Sequence, residues 1–249
     1  MSSHDPTSPA APAVVDRQAW LDECEKLLVR EKAHTREGDA IAAARRRLPM
    51  TEVDPVTLVG PDGPTPLADI FQGRDQLVVY KHMWHLGKPF EDQCEGCTAT
   101  VWDFHDASYL EVRGVSAAVF CEGPYEEAAP FRDFMGYTLP WFSTYGIEDP
   151  AFAGGGSIAC YLRQGDRFFL TYETTGRGVE AIMAQHKLLD MTVYGRKETW
   201  EDSPEGWPQI PTYSAWRADG RPIAQWTRPG VTPVEAPEHA PHCAGQAAS

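Results

Sequence analysis

The sequence predicts an α/β domain built on one mixed sheet with flanking helices, and three observations lead to this class. Strand-like and helix-like segments alternate between residues 57 and 135, which is typical of a sheet with a parallel core. Two further strand-like segments then flank Gln164-Gly-Asp166, and this hairpin adds antiparallel strands at one side. The 249 residues are enough to bury such a core without disulfides or metals.

The chain is predicted to begin with a disordered N-terminus and a helical extension. Residues 1–14 are rich in Ser, Pro and Ala with little to bury, so we expect them to be disordered. Apolar residues recur at helical spacing over 15–50, and Pro49 ends this pattern. Gly38 lies in a weak stretch of the pattern and is a candidate to divide the extension into two helices.

Residues 51–200 form the predicted domain. Its elements are predicted from the hydrophobic periodicity, the helix-capping residues and the β-branched residues. In order they are a short strand from Thr57, a helix capped by Thr65, a buried strand over Gln76–Met83, a helix over Thr98–Leu110, a strand over Val115–Cys121, a helix over Tyr125–Met135 interrupted by Pro130, the hairpin at 157–172, and a helix over Gly178–Leu189. Cys24, Cys121 and Cys160 lie on apolar rows or strands and are expected in the core.

The C-terminal region divides into two predicted parts. Residues 201–227 hold several tryptophans and prolines, so we expect this segment to pack on the domain without regular structure. Residues 228–249, which include Cys243, are expected to form a disordered tail.

The charge of the chain excludes several classes of partner. The net charge is −14, so the basic footprint of a nucleic-acid binder is missing, and attraction to anionic membranes is not expected. No apolar run is long enough to span a membrane, and the first residues lack the features of a secretory signal. We therefore expect a cytoplasmic protein. Residues 89–149 carry twelve acidic side chains against two arginines, which favours solubility or the attraction of a cation.

The strongest local signal is Cys94-Glu-Gly-Cys97, which lies between a predicted strand and a predicted helix. C-x-x-C in this setting indicates a thioredoxin-like redox pair. A cysteine at a helix N-terminus is favoured as a thiolate by unpaired N–H groups, and the two-residue spacing lets the second sulfur close a disulfide. The neighbouring acids Glu91, Asp92 and Glu95 oppose the thiolate.

A metal site is the alternative interpretation of the same region. Eight residues separate His82-Met-Trp-His85 from Cys94, so His82, His85, Cys94 and Cys97 form a plausible Cys₂His₂ ligand set. Sulfur with imidazole suits copper or zinc, and nearby carboxylates would favour a cation. If His82 belongs to the strand, His85 must leave the strand in the loop for the two imidazoles to converge.

Several runs of residues resemble a known family. They are Arg45-Arg-Arg-Leu-Pro-Met50, Leu67-Ala-Asp-Ile-Phe71, Leu77-Val-Val-Tyr80, the segment from His82 to Thr98, Phe134-Met-Gly-Tyr-Thr-Leu-Pro-Trp-Phe-Ser143, Phe169-Leu-Thr-Tyr-Glu-Thr-Thr-Gly-Arg-Gly178 and Leu188-Leu-Asp-Met-Thr-Val-Tyr-Gly-Arg196. Through these runs the chain resembles a bacterial thioredoxin-like family catalogued as a domain of unknown function, of the DUF899 type. The resemblance implies a thioredoxin-like domain with peroxiredoxin features and an N-terminal helical extension. Members of this family are often labelled predicted dithiol–disulfide oxidoreductases.

One departure from thioredoxins concerns the segment before the hairpin. Thioredoxins place a cis-proline there, against the sulfurs, whereas this chain has Ala153-Gly-Gly-Gly156. If Gly155 or Gly156 occupies that place, the sulfurs are expected to be less shielded. This departure leaves room for a metal or a small substrate beside the cysteines.

The leading hypothesis is a cytoplasmic thiol–disulfide oxidoreductase without a cofactor, in which Cys94 attacks and Cys97 resolves the mixed disulfide. Its expected partner is a small-molecule thiol, disulfide or other small substrate. The run from Thr174 to Gly178 is able to bind an anion, which makes Arg177 a candidate substrate-binding residue, although a turn into a helix explains the run as well. The rivals are the copper or zinc protein, a peroxidase and an interaction module, and a homodimer is compatible with each.

Overall fold

The computed structural model of the protein describes residues 10–212, 217–218 and 221–222. The predicted tail at 228–249 with Cys243, much of the segment at 201–227 and the first nine residues lie outside the described residues. The helices are α1 Arg17–Arg45, α2 Leu67–Ile70, α3 Glu95–Asp103, α4 Ser108–Glu111, α5 Tyr125–Met135 and α6 Ala184–Leu189. The strands are β1 Thr51–Val53, β2 Thr57–Gly60, β3 Gly63–Pro66, β4 Gln76–His82, β5 Val115–Cys121, β6 Trp141–Ser143, β7 Ser157–Gln164, β8 Arg167–Thr175, β9 Arg217–Ala218 and β10 Arg221–Pro222.

Eight strands form one mixed sheet in the order β1-β8-β7-β4-β5-β6-β2-β3. Strands β4, β5 and β6 are parallel, whereas β7 is antiparallel to β4 and pairs with β8 as a hairpin. The parallel core and the antiparallel side predicted from the alternation are thus confirmed. A central parallel strand followed by a helix, a second parallel strand and then an antiparallel hairpin on the other flank is the arrangement of a thioredoxin-like fold.

The sheet buries a hydrophobic core on each face because successive side chains of a strand point to opposite sides. In β4, Leu77 and Val79 pack on one face and Tyr80 on the other. In β5, Phe120 joins the first face, whereas Val119 joins the face of Tyr80. The two cysteines of the C-x-x-C motif belong to the core on the face of Tyr80.

The N-terminal extension is one continuous helix, which corrects the expected division at Gly38. Helix α1 runs for 29 residues from Arg17 and contains no buried residue. One glycine costs a helix only about 1 kcal/mol relative to alanine, and the flanking turns are long enough to absorb that cost. Cys24, expected in the core, is only half-buried in this helix.

Two other predicted helices have different bounds in the structure. The helix expected over Thr98–Leu110 begins earlier, at Glu95, and ends where Phe104 adopts φ −96° and ψ 65°. The helix expected over Gly178–Leu189 is split at Met183, with φ −101° and ψ 77°, into a 3₁₀ helix over Gly176–Ile182 and α6. At Phe104 and at Met183 the apolar residues keep their helical spacing along the sequence, but the backbone leaves the helical conformation.

Smaller differences concern the ends of elements. Thr65 belongs to the β2–β3 hairpin, opposite Leu58, and does not cap a helix. Helix α5 has the predicted bounds and continues through Pro130. Cys121 is buried as expected, whereas Cys160 is half-buried. Within the described part of the chain, no helix combines the length and apolar character that crossing a membrane requires.

Candidate functional site

The two cysteines of the motif lie at the start of the helix that follows the central strand. Strand β4 ends at His82, a loop follows, and Cys94 is the N-cap of α3, with Cys97 inside the first turn. Neither is in a disulfide, and both are buried, with exposed fractions of 4% for Cys94 and 2% for Cys97. The predicted strand–loop–helix setting of the pair is therefore present.

The side chain of Gln93 holds the loop that leads into the motif. Its Oε1 accepts from the backbone N–H of His85 at 2.9 Å, and its Nε2 donates to the carbonyls of His85 at 3.0 Å and Lys88 at 3.1 Å. Gln93 is buried, so these bonds satisfy polar groups whose burial without a hydrogen-bond partner would destabilise the fold. The sequence analysis did not single out Gln93, because nothing in the pattern shows where the loop folds back.

A carboxylate from α5 fixes the other side of the same loop. Oε2 of Glu127 accepts from the indole N–H of Trp84 at 3.0 Å and from the backbone N–H of Gly87 at 3.1 Å. These two hydrogen bonds hold the pKa of Glu127 below its ordinary value. The Trp84 indole lies so close to Gly123 that a Cβ there would stand 2.3 Å from the ring.

The sulfur of Cys97 is hydrogen-bonded to the backbone just after β4. The N–H of Met83 donates to Cys97 Sγ at an N···S distance of 3.4 Å. Tyr80, from the interior of β4, is buried in the same core as Cys97. Burial and then the adjacent Cys97 raise the pKa of Tyr80 well above its ordinary value, so its phenol is neutral at pH 7.

The glycine segment before β7 passes directly over Met83. Ser157 pairs with Lys81, which places Gly155 across from Met83, and a Cβ on Gly155 would stand 2.7 Å from the backbone N and Cα of Met83. The described residues contain no cis peptide bond. Although glycine replaces proline here, both cysteines are buried, so the expected loss of shielding is not observed.

The two histidines of the metal alternative have separate environments. His82 is fully buried among aromatic rings, its Nδ1 lies 2.7 Å from the carbonyl oxygen of Met83, and its Nε2 has no hydrogen-bond partner. Burial lowers the pKa of His82 to about 4, so the imidazole is neutral at pH 7. The Nδ1 of His85 lies 2.7 Å from the carbonyl oxygen of Asp92.

These positions do not bring a ligand set together. Among residues 10–212, no group of three or more His, Cys, Asp and Glu side chains is placed to hold a metal ion. The copper or zinc site at His82, His85, Cys94 and Cys97 stays a prediction that this arrangement of the side chains does not support.

Arg177, the candidate substrate-binding residue, is engaged within the protein. Its Nε donates to Glu180 Oε1 at 2.8 Å, and its guanidinium lies 4.5 Å from the ring centroid of Trp200. Its role in binding a substrate stays a prediction.

The fold and the site together define a class: a thioredoxin-fold protein with a buried C-x-x-C pair at the start of the helix after the central strand. The chain belongs to the family described as bacterial protein of unknown function (DUF899), whose pattern matches residues 9–219. This confirms the family that the sequence runs indicated. A comparison with curated protein sequences finds no match.

Solved structures similar to this chain share little sequence with it. Peroxidoxin BcpB from Mycobacterium tuberculosis is 16% identical, with a TM-score of 0.40 over 54% of this chain and 93% of that one. A protein assigned as the thiol:disulfide interchange protein DsbE from Chlorobium tepidum is 13% identical, with a TM-score of 0.38 over 56% of this chain and 95% of that one. The activities named for these proteins are theirs, and the fold class here is defined by strand order.

Proposed function

We propose that the protein is a thiol–disulfide oxidoreductase that uses the Cys94–Cys97 dithiol on a small-molecule disulfide. The Cys94 thiolate attacks one substrate sulfur, forms a mixed disulfide and releases the other half as a thiolate. Cys97 then attacks the Cys94 sulfur, closes the Cys94–Cys97 disulfide and releases the second half. Two electrons pass from the dithiol to the substrate, and a small-molecule thiol returns the protein to its reduced form.

The observation that carries this proposal is the position of the pair on α3. Cys94 caps the helix and Cys97 lies one turn inside it. A cysteine at a helix start is favoured as a thiolate by the helix N–H groups and dipole, and the two-residue spacing suits closure of a disulfide. The hydrogen bonds from Gln93 and Glu127 fix the preceding loop, which supports a stable placement of Cys94. The cytoplasm, the location expected from the sequence, is a reducing compartment that keeps such a dithiol available for reaction.

The surroundings favour a small substrate over a folded protein. Both cysteines are buried, so a broad protein surface has little access to either sulfur. An open cleft of about 490 Å³ lies beside the loop and is lined by Trp84, Gly87, Lys88, Pro89, Phe90, Glu126, Glu127 and Pro130. Trp84 and Phe90 pack on the core that contains the cysteines, so this cleft is the approach that we assign to the substrate.

A single-turnover experiment tests the proposal. The reduced protein is mixed with bis(2-hydroxyethyl) disulfide, and the products are followed by intact-mass spectrometry. We expect wild type to lose two hydrogens, Cys94→Ser to stay unmodified and Cys97→Ser to accumulate one mixed disulfide. Cys160→Ser, which changes a half-buried cysteine outside the motif, is the matched control and should behave as wild type. Wild-type behaviour of both motif variants would show that the assignment is wrong.

A further inference from the structure

A second cleft is formed by the segment 193–207, which follows α6. It has a volume of about 290 Å³ and shares no lining residue with the cleft that we assign to the disulfide substrate. Three aromatic side chains and two carboxylates line it, namely Tyr194, Trp200, Trp207, Glu201 and Asp202. Among the described residues that line this cleft, none is Lys, Arg or His. Its walls are therefore aromatic and its charge is negative.

Two of the aromatic walls meet at a right angle. The ring centroids of Tyr194 and Trp207 lie 5.4 Å apart, and the two ring planes are inclined by 82°. Both side chains are half-buried, so part of each ring faces the cleft. The face of an aromatic ring carries partial negative charge and attracts a cation that lies against it. The corner between the two rings therefore suits a rounded cationic group with apolar surface.

The third wall, Trp200, is fixed by the protein itself. Its indole N–H donates to the carboxylate of Glu198, which is buried with an exposed fraction of 4%. The guanidinium groups of Arg177 and Arg196 lie 4.5 and 5.8 Å from the centroid of the Trp200 ring. A side chain that is already held in one position loses little freedom when a ligand binds against it. Trp200 is therefore a rigid wall of the cleft.

The carboxylate of Glu201 is held at the cleft by the backbone. Its Oε1 accepts from the N–H of Arg196 at 3.2 Å, and its Oε2 accepts from the N–H of Glu198 at 2.9 Å. Gly195 has φ +56°, and a Cβ there would stand 2.5 Å from Glu201 Oε1, so only glycine allows this approach. A carboxylate has about four lone-pair positions, so two bonds leave it able to face a cation. Asp202, which is exposed, adds a second negative charge to the cleft.

We propose that the cleft at 193–207 binds a small, free trimethylammonium compound, for which choline is the probe. The methyl groups lie against the aromatic corner, and the carboxylates of Glu201 and Asp202 balance the charge. A primary ammonium is strongly hydrated and would lose hydrogen bonds against the rings, whereas an anion would be repelled. Pockets for drug-sized ligands have about 300–1,000 Å³, so this cleft suits a small head group. The site is separate from the Cys94–Cys97 pair, and its binding step involves no covalent change.

Isothermal titration calorimetry of the full chain in low-salt buffer tests the proposal with three ligands. We expect choline to bind saturably at one site per chain, and 3,3-dimethylbutan-1-ol, which has the same shape without the charge, to bind at least about tenfold more weakly. Phosphatidylcholine vesicles should not bind, because the carboxylates repel the phosphate beside the trimethylammonium group. Absence of saturable choline binding, or equal affinity for the uncharged alcohol, would overturn the site. Binding of vesicles without binding of choline would overturn the assignment to a free compound.

Two pairs of variants locate the binding in this cleft. Trp207→Leu should weaken choline binding at least about tenfold, whereas Trp20→Leu, which changes an exposed tryptophan of α1, should match wild type. Asp202→Asn should weaken it about threefold, because an exposed charge pair contributes little more than that. Asp166→Asn, in the turn between β7 and β8, makes the same change of net charge elsewhere and should have no effect. Asp202→Asn alters an exposed side chain without removing packing, so it tests the site even where Trp207→Leu disturbs the fold. Choline affinities in Trp207→Leu and Asp202→Asn that equal those of their controls would overturn the proposal.

Discussion

Gly155 is the residue that most directly couples the glycine segment to the dithiol. A Cβ at this position would stand 2.3 Å from Met83 Cγ and 2.7 Å from the Met83 backbone, distances that real contacts do not reach. Since Met83 directly follows β4 and its backbone N–H donates to Cys97 Sγ, the Met83 backbone has little room to move away. A glycine is thus required here by the approach of two backbone segments.

Gly155→Ala should therefore lower the free energy of unfolding by about 1–3 kcal/mol, the range for inserting atoms into a packed site. Urea unfolding followed by tryptophan fluorescence measures this change. Gly38→Ala is the control, because a Cβ at Gly38 meets no atom within 4 Å. An equal effect of the two substitutions would show that the contact with Met83 is unimportant.

At the scale of single residues, sequence reasoning placed Cys94 correctly at a helix start because the motif lies between a strand and a helix of recognisable pattern. The pattern did not identify Gln93. The importance of Gln93 comes from hydrogen bonds to the backbones of His85 and Lys88, which are eight and five residues away along the chain. Such bonds depend on how the loop after β4 closes, which no periodicity records.

At the scale of elements, the segment after β8 is held by a cluster of ion pairs. The buried guanidinium of Arg196 donates to both carboxylate oxygens of Glu180, at 2.8 and 2.9 Å, and to both of Asp190, at 2.7 and 2.9 Å. Glu180 belongs to the 3₁₀ helix and Asp190 follows α6, so one side chain joins the two elements. Hydrogen bonds to Arg196 hold the pKa of both carboxyls below their ordinary values.

Arg196→Met should destabilise the protein at pH 7 by about 3 kcal/mol, because it leaves two carboxylates without their shared partner. The pKa values of Glu180 and Asp190 are lowered in the folded state, so their contribution is present above the ordinary pKa values of 4.5 and 3.8 and is lost as the pH falls. The destabilisation should therefore be smaller at pH 3 than at pH 7.

Urea unfolding at the two pH values measures this difference. Arg167→Met is the comparison, since Arg167 pairs with Glu52 on the exposed surface, where solvent screens the pair, and this substitution should cost far less than Arg196→Met. A destabilisation by Arg196→Met that does not depend on pH would contradict the ionic origin of the effect.

Element boundaries explain what the sequence could and could not predict at this scale. The strands β4, β5, β7 and β8 were found because they are long enough to show β-branching and a turn between them. Strands β1 and β6 have three residues each, which is too short to show a hydrophobic alternation, so the sequence did not predict them. The early ends of α3 and of the 3₁₀ helix were missed because Phe104 and Met183 continue an apolar pattern while their backbones leave the helix.

At the scale of the whole molecule, stability is concentrated in the sheet and its two faces. Helix α1 contributes no buried residue, whereas Leu77 in the centre of the sheet has an exposed fraction of 0%. Helix α1 contacts the domain through its last residue, because the guanidinium of Arg45 lies 5.0 Å from the ring centroid of Tyr172. We therefore expect the folding unit to be the domain that follows α1.

Deletion of residues 1–46 should change the free energy of unfolding of the remaining domain by less than about 2 kcal/mol, less than the burial of one large side chain contributes. Leu77→Ala, in the full chain, should cost about 2–5 kcal/mol. Urea unfolding of both proteins provides the comparison. A truncated protein that is unfolded at neutral pH would mean that α1 is required for the fold.

The two edge strands of the sheet affect how readily the protein aggregates at high concentration. Strand β3 forms one edge and reads Gly63-Pro-Thr-Pro66, and β1 forms the other edge with only three residues. Proline has no amide hydrogen to offer a further strand, and a short edge gives an incoming strand few groups to pair with. Neither border is a template for another chain, so the eight strands are protected from growing into fibrils or amorphous aggregates.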